Sequence, residues 1–444
     1  MKGVSFVKTS QYFLPVLKDA PSEASTASHR WMLQSGMIQS TVSGIYTWLP
    51  LGLRVLKKIK TIIRQEQNAI GAIEMLAPTL QPATLWQESG RYDDYGLEML
   101  RVNDRHKRLL VYGPTAEEVF VDVVRRCIQS YKAFPLNLYN IQWKFRDEVR
   151  PRFGVMRGRE FLMKDGYSFD LTPQASKETY CKVFRSYMRA FYRMGLSVIP
   201  LRANTGPIGG DFSHEFHVVA KTGESALYYD SVLENRTPPR FEISDFEEVY
   251  AMVDEKHLPE QCRVPAEQLK IARGIEVGHI FHFGDKYSSS MNAQVSSKNG
   301  EVVNLQMGSY GIGVSRLVGA IIEAFHDEAG PQWPLSISPF SLGIIHIQEN
   351  LESKAEDLYC KVKDLGIETL WEDRPLSPGE KFALMDMLGL PFQAILSEKN
   401  QKNSQIEVKV RKTGERYCFS LDKFLEWLHL NCSEQISLPE TIKT

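Results

Sequence analysis

Phe145-Arg146-Asp147-Glu148-Val149-Arg150-Pro151-Arg152-Phe153-Gly154-Val155-Met156-Arg157-Gly158-Arg159-Glu160-Phe161 reads as the end of one strand, an arginine-rich loop and the start of a second strand. Such a hairpin gathers cations near one tip. Arginine supplies a planar fork of donors matched to phosphate or carboxylate, and Phe161 supplies a flat apolar face on which a base can lie. Taken alone, the same residues also describe a solvated basic hairpin with a core phenylalanine. Working outward, strand-like runs lie at 138–145 and 160–169 on either side of the loop, and others at 73–76, 108–112, 215–220, 278–283 and 302–307. Helical spacing appears at 116–129, 173–194 and 314–325, and between Gly44 and Ile70, where Leu53, Leu56, Ile59, Ile63 and Gln67 share a face. The strands are grouped instead of alternating with helices. The expected fold is therefore α+β, an antiparallel sheet flanked by helices, and a parallel Rossmann-type domain is excluded.

A second informative stretch is Met307-Gly308-Ser309-Tyr310-Gly311-Ile312-Gly313-Val314-Ser315-Arg316. Three glycines permit close approach of backbone or ligand at what reads as a helix entrance, where anions are favoured and Arg316 can reach a phosphate. The ending of a P-loop and the G-x-G-x-x-G spacing are both missing. Residues 237–273 are acidic and proline-containing and read as a surface insertion. Pro331 and Pro334 mark a boundary at about residue 330, giving a larger domain over 1–330. Over 335–444, strands and helices alternate in a smaller α/β domain, whose sheet is expected to be mixed.

The chain has 444 residues, 43% hydrophobic and 24% charged, with a formal net charge of −1. That composition supports large cores and excludes disorder, and any nucleic-acid contact must come from local patches. Six cysteines without a C-x-x-C pair disfavour zinc ribbons and fit reduced thiols. No apolar run reaches the roughly 20 residues of a membrane span, and residues 1–20 lack a signal core, so a cytoplasmic protein without membrane contact is expected. The pairs His214/His217 and His279/His282 stand three apart on strand-like runs and so point to opposite faces. No metal ligands are assigned.

The hairpin and the glycine stretch, in this order on an antiparallel background, resemble the second and third signatures of class II aminoacyl-tRNA synthetases. Ser43–Gly52, Leu80–Gly90, Gly113-Pro114-Thr115-Ala116-Glu117-Glu118, Met163–Phe169 and Gly274–Phe281 sharpen the resemblance to the bacterial-type prolyl-tRNA synthetase family. In the smaller domain, Glu372, Arg374, Ser377-Pro378-Gly379, Lys381-Phe382 and Gly389-Leu390-Pro391 resemble that family's anticodon-binding domain. Three departures stand out: Ala116 where histidine is usual, Gly166 where alanine is usual, and Ser309 where cysteine is common. The long editing insertion of many bacterial members is absent between the second and third signatures.

The resemblance implies formation of a prolyl-adenylate from L-proline and ATP, then transfer to tRNA(Pro), with no editing of mischarged alanyl-tRNA in cis. No protein nucleophile is required, so catalysis would be positioning and charge stabilisation. It assigns catalysis to Arg146 and Arg316, and ATP binding to Arg146, Glu148, Arg157, Phe161 and Arg316. Proline binding falls to Thr115, Glu117, Arg146, His279, Gly308 and Ser309, and anticodon contact to Glu372, Arg374 and Lys381. Mg²⁺ is expected with ATP, and a homodimer through the first signature, where Leu53, Leu56 and Ile59 lie. Thr115 and Glu118 can equally be read as a helix capping box. The competing functional reading is a non-catalytic tRNA-binding relative, which would be expected to lose the ATP arginines.

Overall fold

In the computed structural model, residues 6–203, 212–237 and 241–433 are described. The framework of the larger domain is a nine-stranded sheet. Its order is Phe212–Val219, Val198–Arg202, Ala251–Val253, Ser225–Asp230, Leu269–Gly284, Gln306–Gly313, Glu160–Asp170, Leu136–Phe145 and Ile73–Glu74. Most neighbours are antiparallel, and Phe212–Val219 also pairs with Leu269–Gly284.

Strand alternation divides two cores. Tyr139, Ile141, Leu162, Ile280, Tyr310 and Ile312 pack with helices Pro50–Ala69, Pro173–Arg193 and Val314–Ala324. Leu138, Tyr167, Phe169, Phe281, Phe283 and Met307 join a second cluster around helix Glu117–Cys127. The open side of this second face holds the cavity described below.

The helix predicted after Gly44 forms over Pro50–Ala69, with proline in its first turn, where no donor is lost. Leu56, Ile59, Ile63 and Gln67 are buried, but Leu53 is 38% exposed; the buried stripe opens with Leu51 and Val55 instead, and Leu53 lies off its face. The residues predicted as a glycine-rich helix entrance are instead a strand, Gln306–Gly313, and the helix starts at Val314. The run at 302–307 divides accordingly between Val302–Asn304 and the start of that strand. Residues 237–273 are not only a surface insertion. Phe241, Ile243, Phe246, Ala251 and Val253 are buried in the main core, and Ala251–Val253 is a strand of the sheet. Acidic residues and prolines between those apolar positions conceal them in the sequence.

The smaller unit is a six-stranded mixed sheet ordered Phe6–Lys8, Thr369–Glu372, Leu342–His346, Phe392–Leu396, Gln405–Val410 and Arg416–Ser420. Its first strand comes from the N-terminus, parallel to Thr369–Glu372. The larger domain therefore does not begin at residue 1. A strand of three residues carries too little periodicity to be read from sequence. Helix Pro378–Leu388 opens with a true capping box between Ser377 and Glu380. The two units are tied by Arg54 to Glu368 at 2.6 Å and by Arg411, whose guanidinium donates to both oxygens of Asp327 at 2.6 Å.

Candidate active site

The hairpin begins as a regular ladder from Leu136↔Phe169 to Phe145↔Glu160 and then opens. Arg146 N–H still reaches the Arg159 carbonyl at 2.9 Å, and a single bridge, Arg152↔Arg157, closes the tip. Gly44, with φ +75°, receives the Arg159 N–H at 2.7 Å. A Cβ on Gly44 would come within 2.7 Å of Pro151, so glycine is what lets the Ser43–Gly44 turn brace the loop.

A cavity of about 470 Å³ lies against this hairpin. Arg146, Glu148, Arg157, Phe161 and Arg316 line it together with Thr115, Glu117, His279 and Ser309. Gly308 does not. Along Gln306–Gly313, Ser309, Gly311 and Gly313 face the cavity, while Gly308 faces the helices, where a Cβ would sit 2.1 Å from the Tyr310 hydroxyl. The expectation for Gly308 is corrected by strand alternation.

Each arginine is held by acceptors that leave donors over. Arg146 lies 5.3 Å from the Phe161 ring and donates to the Pro114 carbonyl at 3.3 Å, and its buried Nε has no partner. Burial works against its charge, yet Tyr95, Glu276, Glu98 and Glu117 together raise its pKa. Arg157 donates to Glu148 at 2.9 Å and to Glu224 at 3.1 Å. Arg316 donates to the Met156 and Glu276 carbonyls, both at 2.9 Å, with the Glu276 carboxylate at 3.5 Å. Burial would raise Glu276, but the His279 ring 3.7 Å from its carboxylate and the charge of Arg316 hold it well below the usual carboxylate range. His279 stacks on Phe281 at 3.8 Å between ring centroids and meets the Ser213 hydroxyl at 2.6 Å.

At the other end, Glu117 is the first residue of the helix Glu117–Cys127. The capping box does not form. Ala116 is the cap residue, the Thr115 hydroxyl donates to Glu117 Oε2 at 2.6 Å, and Glu118 turns toward Ser89 and Arg91. Ser309 donates to Glu117 Oε1 at 3.1 Å. Beneath Thr115, Tyr167 donates to Asp165 at 2.7 Å, and Lys144 pairs with the same carboxylate at 2.9 Å. Of the three departures from the family pattern, only Ser309 lines the cavity. Ala116 is buried in the second core, and Gly166 faces the helices, where an alanine Cβ would come within 2.7 Å of Lys164 Nζ.

Sequence reasoning missed Glu98, Asp165, Glu224 and Glu276 as lining residues. Glu276 stood inside a quoted motif two residues after Gly274, so period two from His279 and Phe281 offered no signal for it. His214 is buried against the Tyr180 hydroxyl at 2.8 Å, with its pKa pushed down to about 3 by burial, as suits a neutral core histidine. Among the described residues no group of three or more His, Cys, Asp or Glu is arranged to hold a metal ion.

In the smaller unit, Glu372 at a strand end, Arg374 in the loop after it and Lys381 on helix Pro378–Leu388 lie within one another's electrostatic reach. Glu372 is fully buried and accepts from Arg374 at 2.9 and 2.7 Å, and Lys381, 3% exposed, donates to the His346 carbonyl at 3.2 Å. Leu56 and Ile59, expected at a dimer contact, are buried within this chain, so of that helical seam only Leu53 is available to a second copy.

The family model described as the tRNA synthetase class II core domain (G, H, P, S and T) matches residues 100–325, and the anticodon binding domain model matches 341–430. The proline–tRNA ligase of Wolbachia sp. subsp. Drosophila simulans is 53% identical over 92% of this chain and 96% of its own length. The chain belongs to the proline–tRNA ligase family. The Hyphomonas neptunium ligase is 52% identical over 95% of this chain and 99% of its own length. The prolyl-tRNA synthetase of Cryptosporidium parvum, solved with halofuginone and AMPPNP, shares the ligase fold at TM-score 0.73 and 17% identity, covering 93% of this chain and 80% of its own. A second structure of that enzyme, with L-proline and AMP, gives TM-score 0.72. As a proline–tRNA ligase, the protein is a class II aminoacyl-tRNA synthetase, an enzyme with an antiparallel catalytic core and an anticodon-binding domain.

Proposed function

We propose that the protein attaches L-proline to tRNA(Pro) in two steps within this one cavity. The proline carboxylate attacks the α-phosphorus of ATP, pyrophosphate leaves, and the terminal ribose hydroxyl of the tRNA then displaces AMP from the prolyl group. The observation that carries the reading is that Arg146 and Arg157 from one hairpin and Arg316 from a helix far along the chain share a cavity with Phe161 and with Thr115 and Glu117. Arg146 takes the proline carboxylate and the α-phosphate, with its unpartnered Nε available to an incoming oxygen. Arg157 and Arg316 take the β- and γ-phosphates of a bent ATP, and Phe161 with Arg316 sandwiches adenine, whose amino group Glu148 receives. Thr115 and Glu117 receive the secondary ammonium of proline, and Ser309 and His279 close the pocket around the ring. Charge building on the phosphoryl oxygens in the transition state meets guanidinium groups already in place.

A Mg²⁺ ion carried in with ATP would be held here by carboxylates and would supply charge neutralisation of the phosphates. The ionised Glu276 and Glu148 carboxylates are hard oxygen donors that fit such an ion. Glu372, Arg374 and Lys381 mark the anticodon-reading end. A homodimer forms through apolar surface of the first signature: Leu53 is 38% exposed in the first turn of its helix, and beyond the helix's other end Ile73, Leu76 and Leu80 are 56, 74 and 45% exposed. The enzyme works in the cytoplasm; no helix among the described residues is long and apolar enough to cross a membrane. Residues 237–273 are too short for a hydrolytic domain, so alanyl-tRNA(Pro) persists when incubated with the protein; rapid deacylation would contradict this. The identity of the substrate is tested by ATP–pyrophosphate exchange with each amino acid in turn. Proline drives exchange; exchange with threonine or glycine but not proline overturns the assignment. The alternative of a non-catalytic relative predicts no exchange at all, and retention of all three arginines speaks against it.

A further inference from the structure

Behind the imino-acid end of the cavity lies a charge arrangement that the two steps above leave unused. Arg91 and Glu118 do not line the cavity. Arg91 Nη1 nevertheless donates to Glu117 Oε2 at 3.1 Å and to Glu118 Oε1 at 3.0 Å. All three are buried, with Arg91 8%, Glu117 2% and Glu118 0% exposed. The guanidinium is walled in by the rings of Trp86, Tyr287 and Tyr95 at 5.0, 5.3 and 5.6 Å. Ser89 donates to Glu118 Oε1 at 2.8 Å, while Glu118 Oε2 is buried with no hydrogen-bond partner.

One buried cation thus faces two buried carboxylates. Were Arg91 paired with Glu117 alone, the pair would be neutral, and an incoming ammonium would meet only a dipole. With Glu118 as a second counter-ion the group carries a net negative charge, and Glu117 is its only member reaching the cavity. We propose that Arg91 and Glu118 are positioning residues for the imino-acid substrate: Arg91 fixes the Glu117 carboxylate in place, and Glu118 draws off Arg91's charge so that Glu117 meets the secondary ammonium uncompensated. The proposal rests on the proline reading of the cavity.

The surroundings give the arrangement a pH signature. Facing it are Tyr95, Tyr287 and Lys286 from the flanking loop and short helix, Tyr167, Asp165 and Lys144 from the sheet, and Ser309 and Arg146 across the cavity. Burial and the neighbouring Glu117 push Glu118 above the usual glutamate range against the pull of Arg91. Burial would also raise Glu117, but Arg91 and the Thr115 hydroxyl hold it below that range. As pH falls, Glu118 takes the first proton, on its unpartnered oxygen. Arg91 then neutralises Glu117, and the grip on proline weakens at a pH above that of an ordinary glutamate.

The test is ATP–pyrophosphate exchange by the full chain from about pH 5 to 8, with KM measured separately for proline and for ATP. Wild type shows a proline KM that climbs toward acid pH. Glu118→Gln holds a proline KM roughly tenfold higher across the range, with the acid limb flattened and the ATP KM within about twofold of wild type. Glu118→Asp, which keeps the charge, retains the limb. Arg91→Lys, which keeps the charge but loses the fork, raises the proline KM less than Glu118→Gln and also retains it. If wild type exchanges with proline but shows no acid limb, or if Glu118→Gln matches wild type in both KM and limb, the charge arrangement is wrong. Should Glu118→Gln fail to fold by circular dichroism, the wild-type limb and the Asp and Lys variants decide. If wild type does not exchange with proline at all, the reading beneath the proposal fails instead.

Discussion

Lys164 sits on the strand that supplies Phe161 and Asp165, but on its opposite face, fully buried among helices. Its ammonium donates to the Tyr187 hydroxyl at 3.0 Å and the Tyr310 carbonyl at 3.4 Å and lies 4.9 and 5.7 Å from the Tyr187 and Tyr139 rings, and burial pushes its pKa down to about 7. A lysine lowered on folding binds fewer protons in the folded state between about pH 7 and its unfolded value near 10.4. Its penalty is therefore full below about pH 7 and fades as pH rises through that window. Lys164→Met is expected to raise the thermal midpoint by a few degrees at neutral pH, with an advantage that shrinks toward pH 10; an advantage independent of pH would contradict the assignment. The sequence revealed Lys164 only as part of a motif. Nothing local distinguishes its face from that of Asp165 until strand register is known. Arg146, Arg157 and Phe161 were legible because their spacing belongs to one hairpin, and Gly308 was misplaced because a strand was read as a helix entrance.

At the scale of the element, the arginine hairpin is held by its own acids before any ligand arrives. Glu224, on the turn before Ser225–Asp230, accepts from Arg157 at 3.1 Å and Arg152 at 2.7 Å. Both partners are substantially exposed, so each contact contributes at most about 1 kcal/mol. On the proposed reading, ATP takes Arg157 from Glu224. Glu224→Gln is expected to lower the KM for ATP by a few fold while leaving that for proline unchanged, measured by exchange kinetics. A raised ATP KM would mean that Glu224 preorganises Arg157 instead of competing for it. The long strands and helices were legible here because their periodic apolar faces exceed two turns or six residues. Phe6–Lys8 and Ala251–Val253 were not, because three residues carry no period and tertiary pairing alone makes them strands.

At the scale of the molecule, two bodies of different chemistry share apolar packing, with Ile345, Leu370, Met385 and Leu388 joined to the larger body's core, and are braced by a few charged contacts. Arg411, buried, grips both oxygens of Asp327, and its hydrogen bonds hold the Asp327 carboxyl well below its ordinary range. A carboxylate depressed on folding contributes stability that is present above its unfolded pKa of about 3.9 and lost as pH falls through the folded value. Arg411→Met is expected to lower the thermal midpoint by a few degrees at pH 7 and to lose less additional stability than wild type below about pH 4, read by calorimetry; equal acid losses would contradict this. The order of the two bodies was legible from the prolines near residue 330. The return of the N-terminus to the second sheet was not, since no local signal encodes a partner more than 360 residues away. The proposed division of labour, in which one body forms the adenylate with arginines from one hairpin and one helix and the other meets the tRNA anticodon, gives the most direct test of the account. For Arg146→Ala, single-turnover formation of prolyl-adenylate is expected to fall by at least about a thousandfold, with affinity for tRNA(Pro) within a few fold of wild type. Adenylate formation at the wild-type rate in that variant would contradict it.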